Sequence, residues 1–317
     1  MGTLYLDRKD LEIRHEGKHL CLYEEGERRG TVPLNLIERV VIRGRATLST
    51  GVLGLLAEEG VGLLVLGGRR GHSVAILQGR LHGDTCRRIA QYRWYADPAY
   101  RVAWARQLVL MKLRSAYRFL HQAGTRRPDC RKALHDGARQ IEGAYRSLAA
   151  EAAEHCLLSR LNGIEGAAAA AYFGAFTSLF PESLAFRGRN RRPPKDPVNA
   201  ALSLGYTLLH FEAVNACHAA GLDPYVGFYH EPAYNRESLA ADLIEPLRTR
   251  VDAWVWRLFA ERDLRAESFS KEQDACLMNK HGRQTFYARY EELARPLRRM
   301  LRRYALVVAR GLAEEVP

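Results

Sequence analysis

Four residues of the 317-residue sequence have side chains suited to acid, base or metal chemistry: Glu165, His230, Asp242 and Glu245. Glu165 stands alone in a stretch of glycine, alanine and aromatic residues, so we expect its carboxylate to be buried. A buried carboxylate requires a cation, a hydrogen-bond donor or a metal ion, because an uncompensated charge is costly away from water. An arginine partner inside a helical bundle and a functional role are equally compatible with this context.

His230 lies in a segment that predicts a loop, and the other two acids follow it in a helical pattern. Ser238 can cap that helix, and Asp242 and Glu245 then lie on one face because they are three residues apart. The loop histidine and the helical acids would project from one corner of the fold. Taken alone, however, a loop histidine is an ordinary polar residue, and Glu245 can pair with Arg248 on a solvated helix face.

A divalent metal ion is the chemistry that these residues would support if they converge. Glu165, Glu245 and His230 offer two carboxylates and one imidazole, a set that suits Mg²⁺ or Mn²⁺ better than a structural zinc ion. Such an ion can polarise a phosphate and neutralise charge in the transition state. Pro246 predicts a break in the helix directly after Glu245, which would redirect that carboxylate.

The charge of the chain indicates a polyanionic partner. Lysine and arginine total 48 against 36 aspartate and glutamate residues, a formal net charge of +12, and most of the positive charge is arginine. Residues 187–195 join the Glu165 helix to the next one, and their arginine, proline and glycine content predicts an exposed loop along a DNA backbone. The other arginine clusters are read as solvated faces. The residues predicted to contact DNA are Arg187, Arg189, Arg191, Arg192 and Lys195.

Several other classes of protein are disfavoured by the sequence. The glycine turn at residues 67–71 lacks the phosphate-loop pattern and precedes a strand, so no nucleotide cofactor is expected. Six cysteines without a CxxC pair indicate reduced thiols in a cytoplasmic protein. The first residues do not resemble a signal peptide. The longest uncharged run, residues 166–181, falls short of the ~20 strongly apolar residues of a membrane span.

The elements that must position these residues change character near residue 80. Short strands separated by turn residues come first, and two Asp-Pro pairs, at 97–98 and 196–197, later begin long amphipathic helices. The sequence therefore predicts an α+β fold, with a small N-terminal β-rich domain at 1–80 and a larger all-α C-terminal domain at 87–317. Strands are predicted at 3–6, 11–14, 19–23, 31–33, 39–42, 61–66 and 73–77, and helices at about 50–60, 98–124, 130–160, 163–177, 197–221, 238–260 and 283–312.

Three stretches of the chain resemble the CRISPR-associated adaptation integrases, the Cas1 family: Asn162–Phe173, Asp196–Tyr206 and Gly227–Arg248. The resemblance implies a small β domain before a helical domain. It also implies a metal site at Glu165, His230 and Glu245, with Asp242 sharing the ion or orienting a ligand. The implied assembly is a homodimer formed through the β domain, with a Cas2 dimer bridging two homodimers.

The resemblance also implies a reaction. The 3′-hydroxyl of a captured double-stranded DNA fragment attacks a phosphodiester at the end of a CRISPR repeat. The CRISPR array thereby acquires a spacer for antiviral defence. One phosphodiester replaces another, and His230 serves as a ligand or as a proton donor to the leaving oxygen. Two alternatives are a metal-dependent DNA-repair nuclease, which releases its product to water, and a non-catalytic DNA-binding assembly subunit, in which the acids are structural.

Overall fold

The computed structural model describes residues 2–67, 73–77, 82–152, 156–190 and 193–314. The chain divides into two units, one made of Met1–Leu81 with Phe286–Glu291 and the other of His82–Thr285 with Glu292–Pro317. A short part of the last helix thus belongs to the first unit, which the change in sequence pattern did not indicate. Two residues predicted to contact DNA, Arg191 and Arg192, lie outside the described residues.

The described residues of the first unit form two four-stranded sheets and the helix α1, together with the short part of the last helix. The first sheet has the order β1-β5-β7-β8, in which the first three strands are parallel and β8 is antiparallel to β7. The second has the order β4-β3-β2-β6, and only the β2–β6 pairing is parallel. The elements are β1 (Gly2–Asp7), β2 (Leu11–Glu16), β3 (His19–Glu24), β4 (Glu27–Pro33), β5 (Ile37–Arg43), β6 (Ala46–Leu48), β7 (Gly62–Gly67), β8 (Ser73–Leu77) and α1 (Thr50–Glu58).

Apolar side chains from both sheets and from α1 form the core of this unit. Leu11, Leu20, Val40 and Leu56 are nearly inaccessible to solvent within one cluster. Short segments separated by glycine and other turn residues predicted these strands. All seven predicted strands and the helix are confirmed. The strand β6 was not predicted, since its three residues are too few to form a recognisable strand segment.

The second unit is largely helical, as predicted, but it is not all-α. A hairpin of two four-residue strands lies near its end, and its turn places Gln273 at a φ of +52°. The turn has no glycine or Asn-Gly pair, so the usual sequence signal for a hairpin is missing. The elements are α2 (Thr85–Ala96), α3 (Pro98–Arg126), α4 (Arg131–Ala150), α5 (Leu158–Thr177), α6 (Pro197–Ala219), α7 (Ser238–Ile244), α8 (Arg248–Ala260), β9 (Phe269–Glu272), β10 (Ala275–Met278) and α9 (Lys280–Glu314).

The helices differ from the prediction mainly at two places. The helix α2 was not predicted, and the helix expected at 130–160 ends at Ala150. Both Asp-Pro starts are confirmed: the carboxylate of Asp97 accepts from the backbone of Ala99 at 2.9 Å, and that of Asp196 accepts from Asn199 at 2.8 Å. These caps satisfy backbone donors at the first turns of α3 and α6.

Close packing of α4 against α5 depends on a glycine. A Cβ atom added at Gly137 would lie 2.6 Å from the Cβ of Ala175 and 3.2 Å from the carbonyl oxygen of Ala171. Only a residue without a side chain permits this approach. The contact fixes α5, which carries Glu165, against the rest of the helical unit.

The six cysteines are free, and four of them are buried. Burial, together with the nearby carboxylates of Asp242 and Asp223, raises the pKa of the Cys217 thiol well above its usual value. Burial also raises the pKa of Cys276 to about 11. Both thiols therefore stay protonated and act as small packing groups. None of the described helices combines the length and apolar character needed to cross a membrane.

Candidate active site

Glu165 on α5 and Glu245, in the turn between α7 and α8, contact the same ammonium group, that of Lys112 on α3. The Glu245 side chain is only 6% exposed, whereas that of Glu165 is 24% exposed. The expectation that Glu165 is buried is therefore wrong. The glycines beside it leave its surroundings open, since a Cβ added at Gly163 or Gly166 would meet no described atom within 4 Å.

Glu245 has a second basic partner. The Nε atom of Arg248 donates to Oε1 at 2.7 Å, and Lys112 contacts Oε2. Burial opposes ionisation of this carboxyl, but the charges of Arg248 and Lys112 hold its pKa well below the usual range. The Glu245–Arg248 pairing that the sequence offered as an alternative to a metal site is thus present. The arginine suggested as a partner for Glu165 is instead a lysine.

Lys112 is the residue of this site that the sequence analysis missed. Burial by itself would lower the pKa of its amine, but the charges of Glu245 and Glu165 raise it above the usual value, so the amine stays protonated. Lys112 lies between Val109 and Leu113, both of which are buried. A lysine bordering the apolar stripe of a long helix was the available sequence signal, because such a side chain lies next to the interior.

Asp242 orients His230. Its buried carboxylate accepts four hydrogen bonds: from the backbone nitrogens of Phe228, Tyr229 and His230 at 2.8, 3.0 and 3.0 Å, and from His230 Nδ1 at 2.7 Å. Of the two roles that the resemblance implied for Asp242, this geometry supports orientation of a ligand. A carboxylate on one ring nitrogen fixes the tautomer and the ring plane, and it directs the chemistry of His230 to Nε2.

The predicted break at Pro246 is present. The helix α7 ends at Ile244, a 3₁₀ turn covers Glu245–Leu247, and α8 then begins. The change of helical pitch redirects the Glu245 carboxylate, as the proline predicted. The expected cap is wrong, however, because Ser238 already lies within α7 and its hydroxyl donates to the carbonyl oxygen of Glu231 at 3.0 Å. That bond ties the preceding loop to the helix.

The loop before His230 is held by two side chains from neighbouring helices. The amide nitrogen of Gln91 on α2 donates to the carbonyl oxygens of Asp223 and Val226 at 2.8 and 2.7 Å. The guanidinium of Arg101 on α3 donates to the carbonyl oxygen of Phe228 at 3.2 Å. Backbone groups that would otherwise be unpaired are thereby satisfied, and the histidine loop has a fixed path.

We expect Gly227→Ala to disorder this loop. A Cβ at this position would lie 2.6 Å from the carbonyl carbon of Ser238 and 2.8 Å from Oδ2 of Asp242. Relieving that overlap should lower the free energy of unfolding by about 1–3 kcal/mol. Thermal unfolding measures the change, with Gly143→Ala on α4 as the matched control, because its Cβ would meet no described atom within 4 Å. A Gly227→Ala protein as stable as the control would contradict the close approach.

The predicted ligands are divided between two contacts. Glu165 and Glu245 meet at Lys112, whereas His230 meets Asp242. Within the part of the chain that the structure describes, no three histidine, cysteine, aspartate or glutamate side chains form a group that could hold a metal ion. Burial and the two basic neighbours have the largest effects on the pKa of Glu245, and His230 lowers it further. The imidazole therefore lies within electrostatic reach of Glu245.

The basic loop contains two kinds of residue. Arg187 and Lys195 are exposed, as the prediction of a DNA-contacting loop requires. Arg189 does not fit that prediction, because it is only partly exposed and its guanidinium donates to Asn199 Oδ1 at 2.8 Å and to Ser203 Oγ at 3.0 Å. Arg189 thus anchors the loop to α6 instead of projecting from it.

Solved structures define the class of fold to which this chain belongs. A Cas1 protein from Thermotoga maritima superposes with a TM-score of 0.86 at 23% identity, covering 99% of this chain and 98% of that one. A casposase bound to an integration product superposes with a TM-score of 0.81 at 20% identity, covering 98% and 91%. The chain therefore has the Cas1 fold, and the predicted α+β class is confirmed.

Sequence comparison defines the family. The family model described as CRISPR associated protein Cas1 matches residues 4–292. The chain is 39% identical to CRISPR-associated endonuclease Cas1 1 of Thermodesulfovibrio yellowstonii, over 99% of this chain and 98% of that protein. It is 35% identical to CRISPR-associated endonuclease Cas1 3 of Thermus thermophilus, over 92% and 84%. The chain belongs to the Cas1 family of CRISPR-associated endonucleases, and the resemblance stated from its motifs is confirmed.

Proposed function

We propose that this chain inserts captured DNA fragments into a CRISPR array by metal-dependent attack of a 3′-hydroxyl on a phosphodiester. The observation that carries the proposal is the approach of Glu165 and Glu245 to one positive charge, that of Lys112. Carboxylate oxygens are also the ligands by which proteins hold Mg²⁺. Family membership supports double-stranded DNA as the substrate, both as the captured fragment and as the repeat.

The residues present fit a divalent cation. Glu165 and Glu245 already direct one oxygen each to the ammonium of Lys112, and carboxylate oxygens are the ligands that Mg²⁺ and Mn²⁺ prefer. We propose that these two acids, with Nε2 of His230, hold the ion. Once bound, the ion would supply Lewis-acid activation of the phosphate and of the attacking hydroxyl.

Each remaining residue has a distinct task in this scheme. With an ion bound, Lys112 would leave the space between the carboxylates, and its flexible stem would let the ammonium neutralise a phosphate oxygen. Arg248 keeps Glu245 oriented through Oε1. Asp242 fixes the ring of His230, which acts at Nε2 as a ligand or as the proton donor to the leaving oxygen.

A joining assay tests the proposal. The protein is incubated together with Cas2, Mn²⁺, a duplex with free 3′-ends and a supercoiled plasmid that carries a repeat. Covalently joined products support an integrase, nicks alone support a repair nuclease, and neither product supports a non-catalytic assembly subunit. A duplex with 3′-dideoxy ends is the matched control, because it lacks the attacking hydroxyl and must abolish joining.

We propose a homodimer formed through the β domain, with a Cas2 dimer bridging two such homodimers. The support is family membership, and one structure of the same fold is a Cas6-RT-Cas1–Cas2 complex. Action on a CRISPR array implies that the protein works in the cytoplasm. Light scattering of the protein alone and with Cas2 tests the assembly, and a monomer in both samples would exclude it.

We expect Arg187→Ala and Lys195→Ala to weaken DNA binding in a salt-dependent way. Each exposed cation that contacts a phosphate should contribute about 0.9 to the slope of log affinity against log salt concentration. A fluorescence titration at several salt concentrations measures the slope. Arg146→Ala, on the exposed face of α4, is the control and should leave it unchanged. From the sequence, Arg191→Ala and Arg192→Ala are expected to behave like the two loop variants.

Substitution of the anchoring arginine, Arg189, should instead affect the stability of the protein. Arg189→Ala removes the donors to Asn199 and Ser203, so we expect a lower temperature of unfolding in the absence of DNA. Arg187→Ala should leave that temperature unchanged. Equal effects of both substitutions on stability would contradict the distinction between an anchor and a contact residue.

A further inference from the structure

Tyr206 on α6 supports two guanidinium groups with different partners. The guanidinium carbon of Arg248 lies 4.8 Å from the centroid of the Tyr206 ring, and that of Arg189 lies 5.4 Å from the same centroid. A planar guanidinium over an aromatic face is attracted by the ring electrons and restricted in orientation. One ring therefore contacts a residue of the acidic site and a residue of the basic loop.

The Tyr206 ring is held at its hydroxyl end by the buried carboxylate of Asp252. The hydroxyl of Tyr206 donates to Oδ1 of Asp252, and the hydroxyl of Tyr172 on α5 donates to Oδ2 at 2.8 Å. Asp252 is 1% exposed, and burial raises its pKa to about 6 although both hydroxyls favour the ionised form. A buried carboxylate retains its donors strongly, because losing one would leave an unpaired charge-bearing oxygen.

Each of the two guanidinium groups also forms hydrogen bonds that hold another part of the site in place. Arg248 donates to Oε1 of Glu245 at 2.7 Å. Arg189 donates to Asn199 and to Ser203, which holds the loop at residues 187–195 against α6. The Tyr206 ring thus supports both the orientation of Glu245 and the position of the loop at residues 187–195.

We propose that Tyr206 is a positioning residue that aligns the basic loop with the carboxylate of Glu245. The inference rests on the proposed function, since it gives Tyr206 a task in holding DNA against the acidic site. The ring touches neither the acids nor the DNA in this scheme, so it acts through the two arginines. Loss of the Tyr206 ring lets both guanidinium groups change orientation. Small displacements of this kind lower the rate of a reaction that depends on precise alignment of the reacting groups.

Three variants separate positioning from a structural role. Tyr206→Phe and Tyr172→Phe are a matched pair, because each removes one hydroxyl from the same Asp252 carboxylate. Only the first loosens the ring that supports the arginines. Tyr206→Leu removes the ring altogether. The joining assay measures turnover at saturating DNA and the Mn²⁺ concentration that gives half the maximal rate, and thermal unfolding measures the stability of each protein.

The two phenylalanine variants should lose similar stability. We expect Tyr172→Phe to keep turnover within about twofold of the wild-type protein. Tyr206→Leu should lower turnover by roughly tenfold to a hundredfold and raise the Mn²⁺ requirement, with Tyr206→Phe in between. Should Tyr206→Leu fail to fold, the comparison between the two phenylalanine variants decides.

One result would count against the inference. If the Tyr206 variants match Tyr172→Phe in turnover and in Mn²⁺ requirement, the ring has only a structural role. Absence of joining by the wild-type protein is a different result, because it removes the proposed function before any variant is compared. The wild-type reaction therefore distinguishes failure of the function from failure of the inference.

Discussion

Replacing either paired acid, as Glu165→Gln or Glu245→Gln, is expected to reduce DNA joining by on the order of a thousandfold. Glutamine keeps the size of the side chain but removes the negative charge, so the proposed cation loses a ligand. The ammonium of Lys112 would retain one carboxylate, which should preserve the fold. The joining assay at fixed Mn²⁺ measures the loss, and thermal unfolding checks that each variant remains folded.

Metal-dependent stabilisation gives a second readout for the same variants. A cation that binds only the folded protein raises its temperature of unfolding, so Mn²⁺ should stabilise the wild-type chain. This increase should disappear in both glutamine variants. Glu142→Gln is the control, since Glu142 lies on α4, where it pairs with the exposed Arg146. Full joining activity in Glu165→Gln would show that Glu165 is not part of the catalytic site.

The second large effect is expected from Asp242→Ala, which should lower the free energy of unfolding by about 3 kcal/mol or more and abolish joining. Its carboxylate accepts from three backbone nitrogens and from the His230 ring. Alanine would leave all four donors without this acceptor in a buried site, and each unsatisfied donor is destabilising. Chemical denaturation measures the stability, and the joining assay measures the activity.

His230→Ala is the matched control for this prediction. It removes the imidazole but leaves Asp242 with its three backbone donors, so the loop should keep its path. We expect this variant to lose joining while its stability changes by less than about 1 kcal/mol. A protein with Asp242→Ala that unfolds at the wild-type denaturant concentration would mean that the loop is held by other contacts, such as those of Gln91 and Arg101.

Much of the site was predictable because its residues carry local signals. Glu165 is conspicuous as a single charge among small residues, and Pro246 marks the break that redirects Glu245. The sequence left two possible roles for Asp242. Asp242 and His230 are 12 positions apart, and that spacing does not indicate whether their side chains form a hydrogen bond. The contribution of Gln91, which fixes the histidine loop from α2, had no sequence signal.

The sequence by itself determined the two kinds of architecture, the starts of α3 and α6 at Asp97 and Asp196, and the positive charge of the chain. These features depend on periodicity, capping and composition, which act over a few neighbouring residues. Only the tertiary structure decided that Lys112 joins the two acids, that Arg189 anchors a loop, and that Tyr206 supports both arginines. Such contacts join residues far apart in the chain, and their energies depend on burial and on distances of a few ångströms, which no local pattern records.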